Sequence, residues 1–179
     1  MRIIGGELGG RRIHPPSKMP YTRPTTDIAK EGLFNVIENN LDLGSLSTCD
    51  LFGGTGSITY ELISRGAREC TIVEKDNAMY AFIKKTAQEL KLENIRIIKA
   101  DVFKFIQQCQ EKFGFIFAGP PYALETIDLL PVRIREQNML DPGGWFVLEH
   151  TPRNDYRDSP QYVTSRNYGT TIFSIFVNK

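Results

Sequence analysis

From Thr48 onward the chain alternates between short apolar runs and longer segments whose apolar residues return every three or four positions. The runs Thr48–Phe52, Cys70–Glu74, Ile95–Lys99, Phe113–Ala118 and Trp145–Glu149 have the length and composition of strands. Between them, Ser57–Arg65, Asn77–Leu90, Val102–Gln110 and Ile127–Glu136 have helical periodicity. Strand and helix in strict alternation predict right-handed βαβ crossovers and a mostly parallel sheet covered on both faces, a doubly wound, Rossmann-like α/β fold. Gln161–Tyr168 and Thr171–Val177 flank Gly169 and predict an antiparallel hairpin that closes one edge of a seven-stranded sheet.

Ahead of Thr48 the pattern differs. Arg2–Ile13, with Gly5, Gly6, Gly9 and Gly10, predicts a β-hairpin, and His14–Pro24, with its prolines, an extended connector. Such an arm is expected to have little core of its own. With Thr25 or Thr26 as N-cap, Ala29, Leu33, Val36 and Ile37 recur at helical spacing to about Asn39, which places Lys30, Glu31 and Asn35 off the apolar stripe.

Length and composition fit one domain over 1–179, with 1–24 as the arm. At 179 residues the chain can bury roughly two thirds of its unfolded surface. No apolar segment has the length of a signal peptide or membrane span, so the expected location is the cytoplasm. Cys49, Cys70 and Cys109 are widely spaced and form no Cys-x-x-Cys pair, so they read as small core residues; no metal site is indicated. Charge changes the picture more. The net charge is only +1, but in residues 1–30 Arg2, Arg11, Arg12, Lys18, Arg23 and Lys30 face Glu7 and Asp27. The arm therefore carries +4 and leaves −3 to the remainder, an asymmetry compatible with an RNA contact and equally with a solvated surface.

In an open α/β sheet, ligands sit outside the carboxyl ends of the strands. The residues found there are Asp50-Leu51-Phe52-Gly53-Gly54-Thr55-Gly56, Glu74-Lys75-Asp76, Asp101-Val102 and Gly119-Pro120-Pro121-Tyr122. Gly53, Gly54 and Gly56 allow a tight strand-to-helix turn and close ligand approach, although a plain turn has the same composition. Glu74 can accept from both hydroxyls of a ribose or serve as a helix N-terminal charge. Asp101 can accept from an adenine amino group or cap the helix beginning at Val102. Thr59 stands where a dinucleotide fingerprint has its third glycine, and no phosphate-binding Gly-x-x-x-x-Gly-Lys-Ser/Thr loop occurs. Three carboxylates around one crevice repel a pyrophosphate but suit a ligand with a sulfonium and an ammonium, which points to S-adenosylmethionine. Pro120-Pro121 stiffens the fourth loop, and Tyr122 can stack on a planar base.

Taken together, these motifs resemble the RsmD-type family, the 16S ribosomal RNA guanine-N2 methyltransferases with a class I methyltransferase fold. The resemblance covers nearly the whole chain, including Arg23-Pro24-Thr25-Thr26 running into Lys30-Glu31-x-Leu33-Phe34-Asn35. It implies that Asp50, Gly54 and Gly56 hold the methionine end of the cofactor, Glu74 the ribose, and Asp101 with the Val102 amide the adenine. It further implies that Tyr122 stacks on the target guanine, and that Arg11, Arg12 and Arg23 meet ribosomal RNA on the small subunit or its assembly intermediate. Two positions depart from the family pattern. Gly53 replaces the usual Ala, a conservative change. Gly119 replaces the Asp or Asn that opens the family's Asp/Asn-Pro-Pro-Tyr loop, and it has no side chain to accept from the amine. Only the carbonyls of Gly119 and Pro120 remain to orient the base, and loss of a positioned acceptor typically costs roughly 100- to 1,000-fold. A slow or inactive enzyme is therefore expected, with a non-catalytic RNA-binding or ribosome-assembly factor of the same fold as the alternative. Glu149-His150 at the end of the fifth strand invites a general-base role for His150, but a lone His there reads as rim structure. A monomer is expected.

Overall fold

The computed structural model describes residues 1–19 and 25–179. Seven strands form one sheet: β1 (Ser47–Leu51), β2 (Glu69–Glu74), β3 (Ile95–Lys99), β4 (Phe113–Ala118), β5 (Leu140–His150), β6 (Tyr162–Tyr168) and β7 (Thr171–Val177). Their spatial order is β3-β2-β1-β4-β5-β7-β6. β1 to β5 run parallel, and β7 pairs antiparallel with both β5 and β6. The chain winds outward from β1 to β3, then returns to place β4 against the other side of β1, so the strand order reverses between β1 and β4. A crevice opens there, at the carboxyl ends.

Five helices cover the sheet: α1 (Asp27–Asn40), α2 (Ser57–Ser64), α3 (Asn77–Glu89), α4 (Val102–Gln108) and α5 (Leu129–Glu136). One face packs Ala29, Leu33, Phe34 and Ile37 of α1 and Ile58 and Leu62 of α2 against Phe115, Phe117, Val147 and Phe173. The other packs Val102, Ile106, Leu130 and Ile134 of α4 and α5 against Ile116, Phe146, Leu148 and Phe176. Strands buried on both faces carry continuous apolar runs, as β4 does with all six residues buried. Truncating Phe34 or Phe115 to Ala here is expected to cost about 3–5 kcal/mol. Cys49, Cys70 and Cys109 are free thiols in this interior. Among the described residues no helix is long and apolar enough to cross a membrane.

Several boundaries shift from those expected. β5 begins at Leu140, because the Pro142-Gly143-Gly144 stretch is absorbed by a register irregularity opposite Phe113–Phe115 instead of ending the strand. The hairpin expected over Arg2–Ile13 is reduced to one antiparallel bridge, Arg2 with Arg12, and the hydrogen bonds beside it. Nor is the arm without a core: Ile3 and Ile13 are buried against Tyr60 of α2. Lys30 is also corrected. Expected off the apolar stripe, it is 1% exposed. Its Nζ donates to the Arg2 carbonyl at 2.7 Å and to Ser57 Oγ at 3.1 Å, and lies 3.3 Å from Glu61 Oε1.

Glu61 ties this network to the arm. Its carboxylate accepts from the Ile4 and Gly5 amides at 2.9 and 2.8 Å and from Arg65 Nε at 2.8 Å. Burial alone would raise its pKa, but the two amides, Arg65 and Lys30 together hold it below the usual glutamate value. Burial pulls the Lys30 amine down, against the attraction of Glu61. The arm is thus fastened by charge to the helix that follows the glycine loop.

Candidate active site

The turn after β1 is built from left-handed backbone: Phe52, Gly54 and Gly56 have φ of 62°, 57° and 85°. This reverses the chain within a few residues and starts α2 over the crevice. Gly56 is required twice, since a Cβ there would also stand 2.3 Å from the Tyr60 ring. Gly53 donates from its amide to the Val73 carbonyl at 2.9 Å, joining the turn to β2. A Cβ on Gly53 would meet the Ile72 side chain at 2.5 Å, so the Gly53 substitution is coupled to how Ile72 packs.

Glu74, at the end of β2, accepts from the Gly54 amide through Oε1 and from the Asp76 amide through Oε2, both at 2.8 Å. It clamps two loops together while remaining half-buried at the crevice. Asp76 caps α3 through the Met79 amide at 2.9 Å. Asp101 caps α4 through the Lys104 amide at 3.2 Å, so capping and a place on the crevice wall coexist in one residue. Asp50 is 2% exposed and accepts from Thr59 Oγ1 at 2.8 Å. Burial pushes its carboxyl up to about 8, opposed by the Thr59 hydrogen bond and reinforced by the nearby charges of Glu74 and Glu149. Thr59, which breaks the dinucleotide pattern, is therefore the partner of the deepest acid.

These residues enclose a cavity of about 720 Å³. Asp50, Phe52, Gly53, Gly54, Glu74 and Lys75 line it from the β1 and β2 ends. Asp101, Val102, Gly119, Pro120, Pro121 and Tyr122 line it from the β3 and β4 ends. Gly56 is the exception: it is buried and does not line the cavity. Arg11 and Arg12 are exposed on the arm, away from the cavity, and Arg23 lies outside the described residues.

One wall residue was given no role in the sequence reading. Glu149, at the carboxyl end of β5, is 4% exposed, lines the cavity and accepts from Thr25 Oγ1 at 2.8 Å. A Cβ built on Gly119 would lie 3.4 Å from Glu149 Oε2 and 3.0 Å from Phe117 Cε1. The space vacated by a side chain at position 119 is thus bordered by another carboxylate. The signal available was the strand-end rule itself, which singles out an acid at the end of β5 as it does Asp50 and Glu74. The neighbouring His150 points into the fold: Nε2 is 2.7 Å from Ser174 Oγ and Nδ1 2.8 Å from the Thr151 carbonyl. Burial lowers its pKa. It lies off the cavity wall, as rim structure should.

The donor set suits a large cationic cofactor. It offers a buried acid, two further acids at adjacent strand ends, main-chain atoms exposed by glycines, and an apolar patch from Phe52 and Val102. A seven-stranded sheet in this order, with its cavity at the β1/β4 reversal, is the class I methyltransferase fold. The chain belongs to the family described as Conserved hypothetical protein 95, whose model matches residues 1–177. Ribosomal RNA small subunit methyltransferase D of Escherichia coli strain K12 is 30% identical over 83% of this chain and 71% of its own. The solved structure of yhhF from Escherichia coli superposes with a TM-score of 0.86 over 100% of this chain and 98% of that one, at 24% identity. The Thermus thermophilus 16S rRNA N2 G1207 methyltransferase RsmC, solved with AdoMet and guanosine, superposes with a TM-score of 0.69 at 20% identity, over 87% of this chain and 44% of that one. The last two likenesses speak for the fold.

Proposed function

We propose that this protein methylates the exocyclic N2 amine of a guanine in 16S ribosomal RNA, using S-adenosylmethionine, as a cytoplasmic monomer acting on the small subunit or its assembly intermediate. The observation that carries this reading is the meeting, in one cavity, of the strand-end acids and the Pro120-Pro121-Tyr122 loop. Family membership and the ribosomal RNA methyltransferases among the relatives support methyl transfer to small-subunit RNA.

S-adenosylmethionine supplies an electrophilic methyl group on a sulfonium. Asp50 and the main chain at Gly53 and Gly54 would hold its methionine end, with Gly56 shaping the turn. Glu74, beside Lys75, would accept from the ribose hydroxyls. Asp101 and the Val102 amide would take the adenine, and Phe52 would pack on it. Tyr122 would stack on the guanine while Pro120 and Pro121 keep the loop stiff, so that the amine is held close to the methyl carbon. Arg11, Arg12 and Arg23 would contact RNA phosphates. No observation favours the non-catalytic alternative.

The test is transfer of labelled methyl from S-adenosylmethionine to small subunits isolated without the modification, followed by nucleoside analysis. N2-methylguanosine at one site is the expected product. No transfer, or methyl on another atom, overturns the reading. A Gly119→Asn variant is the proper companion. Aspartate there would set a second carboxylate against Glu149 Oε2, only 3.4 Å from the position of its Cβ.

A further inference from the structure

The loop that follows β4 carries Pro120, Pro121 and Tyr122 along the cavity and ends at Asp128, immediately before α5. Its backbone is a run of tight turns, in which the Leu124 amide donates to the Pro121 carbonyl at 2.9 Å and the Ile127 amide to the Leu124 carbonyl at 3.4 Å. An acid at the head of a helix ordinarily caps it, yet the Asp128 side chain makes no capping hydrogen bond to α5. It turns instead to the loop after β5, accepting at Oδ1 from the Tyr156 hydroxyl at 2.7 Å and from Asn154 Nδ2 at 3.2 Å. Tyr156 is 4% exposed; burial pushes its pKa up and Asp128 adds to the rise, so the phenol stays a donor. Its ring crosses that of His150 at 79°, with centroids 4.9 Å apart, and lies 6.0 Å from that of Phe176. His150 is held in turn by Ser174 of β7. A continuous line of contacts thus joins β7 to the far end of the loop that bears Tyr122.

We propose that Asp128 and Tyr156 are positioning residues of this enzyme: their hydrogen bond fixes the far end of the β4 loop and so sets where Tyr122 presents the target base to the methyl donor. This rests on the guanine-N2 reading above, in which Tyr122 stacks on the base. The two prolines stiffen the near end of the loop, but a segment held at one end can still swing at the other. Asp128 supplies the second hold, six positions beyond Tyr122. A misplacement of about 1 Å at the reacting atoms can cost up to about 100-fold in rate, so even a small shift of the ring is felt. The arrangement also accounts for His150. The Thr151 carbonyl only accepts, so Nδ1 carries the proton, and the neutral ring leaves Nε2 to accept from Ser174 Oγ. With both nitrogens engaged, His150 supports the Tyr156 ring by packing and moves no proton.

The test is Tyr156→Phe, which removes the hydroxyl and keeps the ring against His150 and Phe176. On unmodified small subunits, beside the unaltered protein, it is expected to lose about fivefold in kcat, with KM for the subunit and S-adenosylmethionine affinity each within about twofold. Asp128→Ala is expected to match it. Asp128→Asn, which keeps a carbonyl oxygen for both donors, is expected to restore the rate to within about twofold of the parent. Because the pair acts through Tyr122, adding Tyr156→Phe to Tyr122→Ala is expected to cost less than about twofold further. Hydrogen exchange reads the same hold without turnover: the Leu124 and Ile127 amides should exchange about tenfold faster in Tyr156→Phe, while those of Gly54 and Asp76 keep their rates. A Tyr156→Phe kcat within about twofold of the parent, its full loss repeated in the Tyr122→Ala background, an Asp128→Asn loss equal to that of Asp128→Ala, or a parallel fall in cofactor affinity would each overturn the assignment. Should Tyr156→Phe fail to fold, the exposed Asp128 carries the same comparisons through Asp128→Ala and Asp128→Asn. If the unaltered protein yields no N2-methylguanosine, the guanine reading fails and the positioning role falls with it. If it does yield that product and Tyr156→Phe matches it in kcat and loop exchange, this pair alone is ruled out.

Discussion

Along the β1–β3 wall of the cavity each acid is fastened by a group within 20 positions of it in the chain. Asp50 is held by Thr59, Glu74 by Gly54 and Asp76, and Asp101 by the Lys104 amide. Along the β4–β5 wall, Glu149 is fastened by Thr25, 124 positions away. The first wall is a set of turns and caps that any βαβ unit with these residues will make. The second exists only when the segment before α1 and the end of β5 have been brought together by the finished fold. The β1–β3 wall is held by hydrogen bonds of short or moderate sequence span, whereas the β4–β5 wall reports on the integrity of the whole molecule.

The widest break in that comparison comes from Glu74→Ala. Two loop amides lose a charged acceptor, so urea unfolding should show a loss of about 2 kcal/mol, and cofactor affinity measured by calorimetry should fall about 100-fold. Equal cofactor affinity in the variant would mean that the wall is not held by Glu74. Tyr122→Ala should act on the other side alone: kcat/KM for the subunit falls about tenfold with cofactor affinity intact. A loss of cofactor binding there would merge the two walls into one unit.

Acidity sharpens the contrast further. The Asp50 carboxyl keeps its proton in the fold up to about 8, against a reference value of 3.8. Its contribution to stability is therefore complete below 3.8 and declines as pH rises through about 8. A cationic cofactor favours the ionised form, so its affinity should rise about fivefold from pH 7 to 8, with uptake of protons by the buffer. Asp50→Asn should flatten that profile, and an unchanged slope would assign it to another group. The smallest effect belongs to the arm. Replacing Arg11 and Arg12 together by Ala should weaken subunit binding a few-fold and reduce the salt slope by about 1.5, without altering the reaction on bound substrate.

What could be read from the chain follows the same division. Short apolar runs ending in Asp50, Glu74 and Asp101 announced β1, β2, the acid wall and the turn that carries the glycines, because each depends on neighbours in sequence. Lys30 was misplaced because a lysine at a helical position normally faces water, and its buried partner, Glu61, belongs to another helix. Glu149 was named beside His150 but given no role, although it lines the cavity and His150 does not. Its distance to Gly119 is one that no spacing encodes. The room Gly56 makes for Tyr60 was not legible either, because a glycine in a loop looks the same whether it touches a ligand or admits a ring.

Helix α1 lies against the last hairpin of the sheet. A Cβ on Gly32 would stand 2.3 Å from the Tyr168 ring, and Phe34 and Leu33 share a core with Phe173 and Ile175. During translation α1 leaves the ribosome early and must wait for Tyr168, Phe173 and Ile175 of the last hairpin, on the order of ten seconds at about 5–20 residues per second. Over that interval its buried stripe is open to chaperones, and every nascent chain is an unfinished one. A protein that acts on ribosomes by our reading would thus be unable to close its own β4–β5 wall until the ribosome making it has nearly finished.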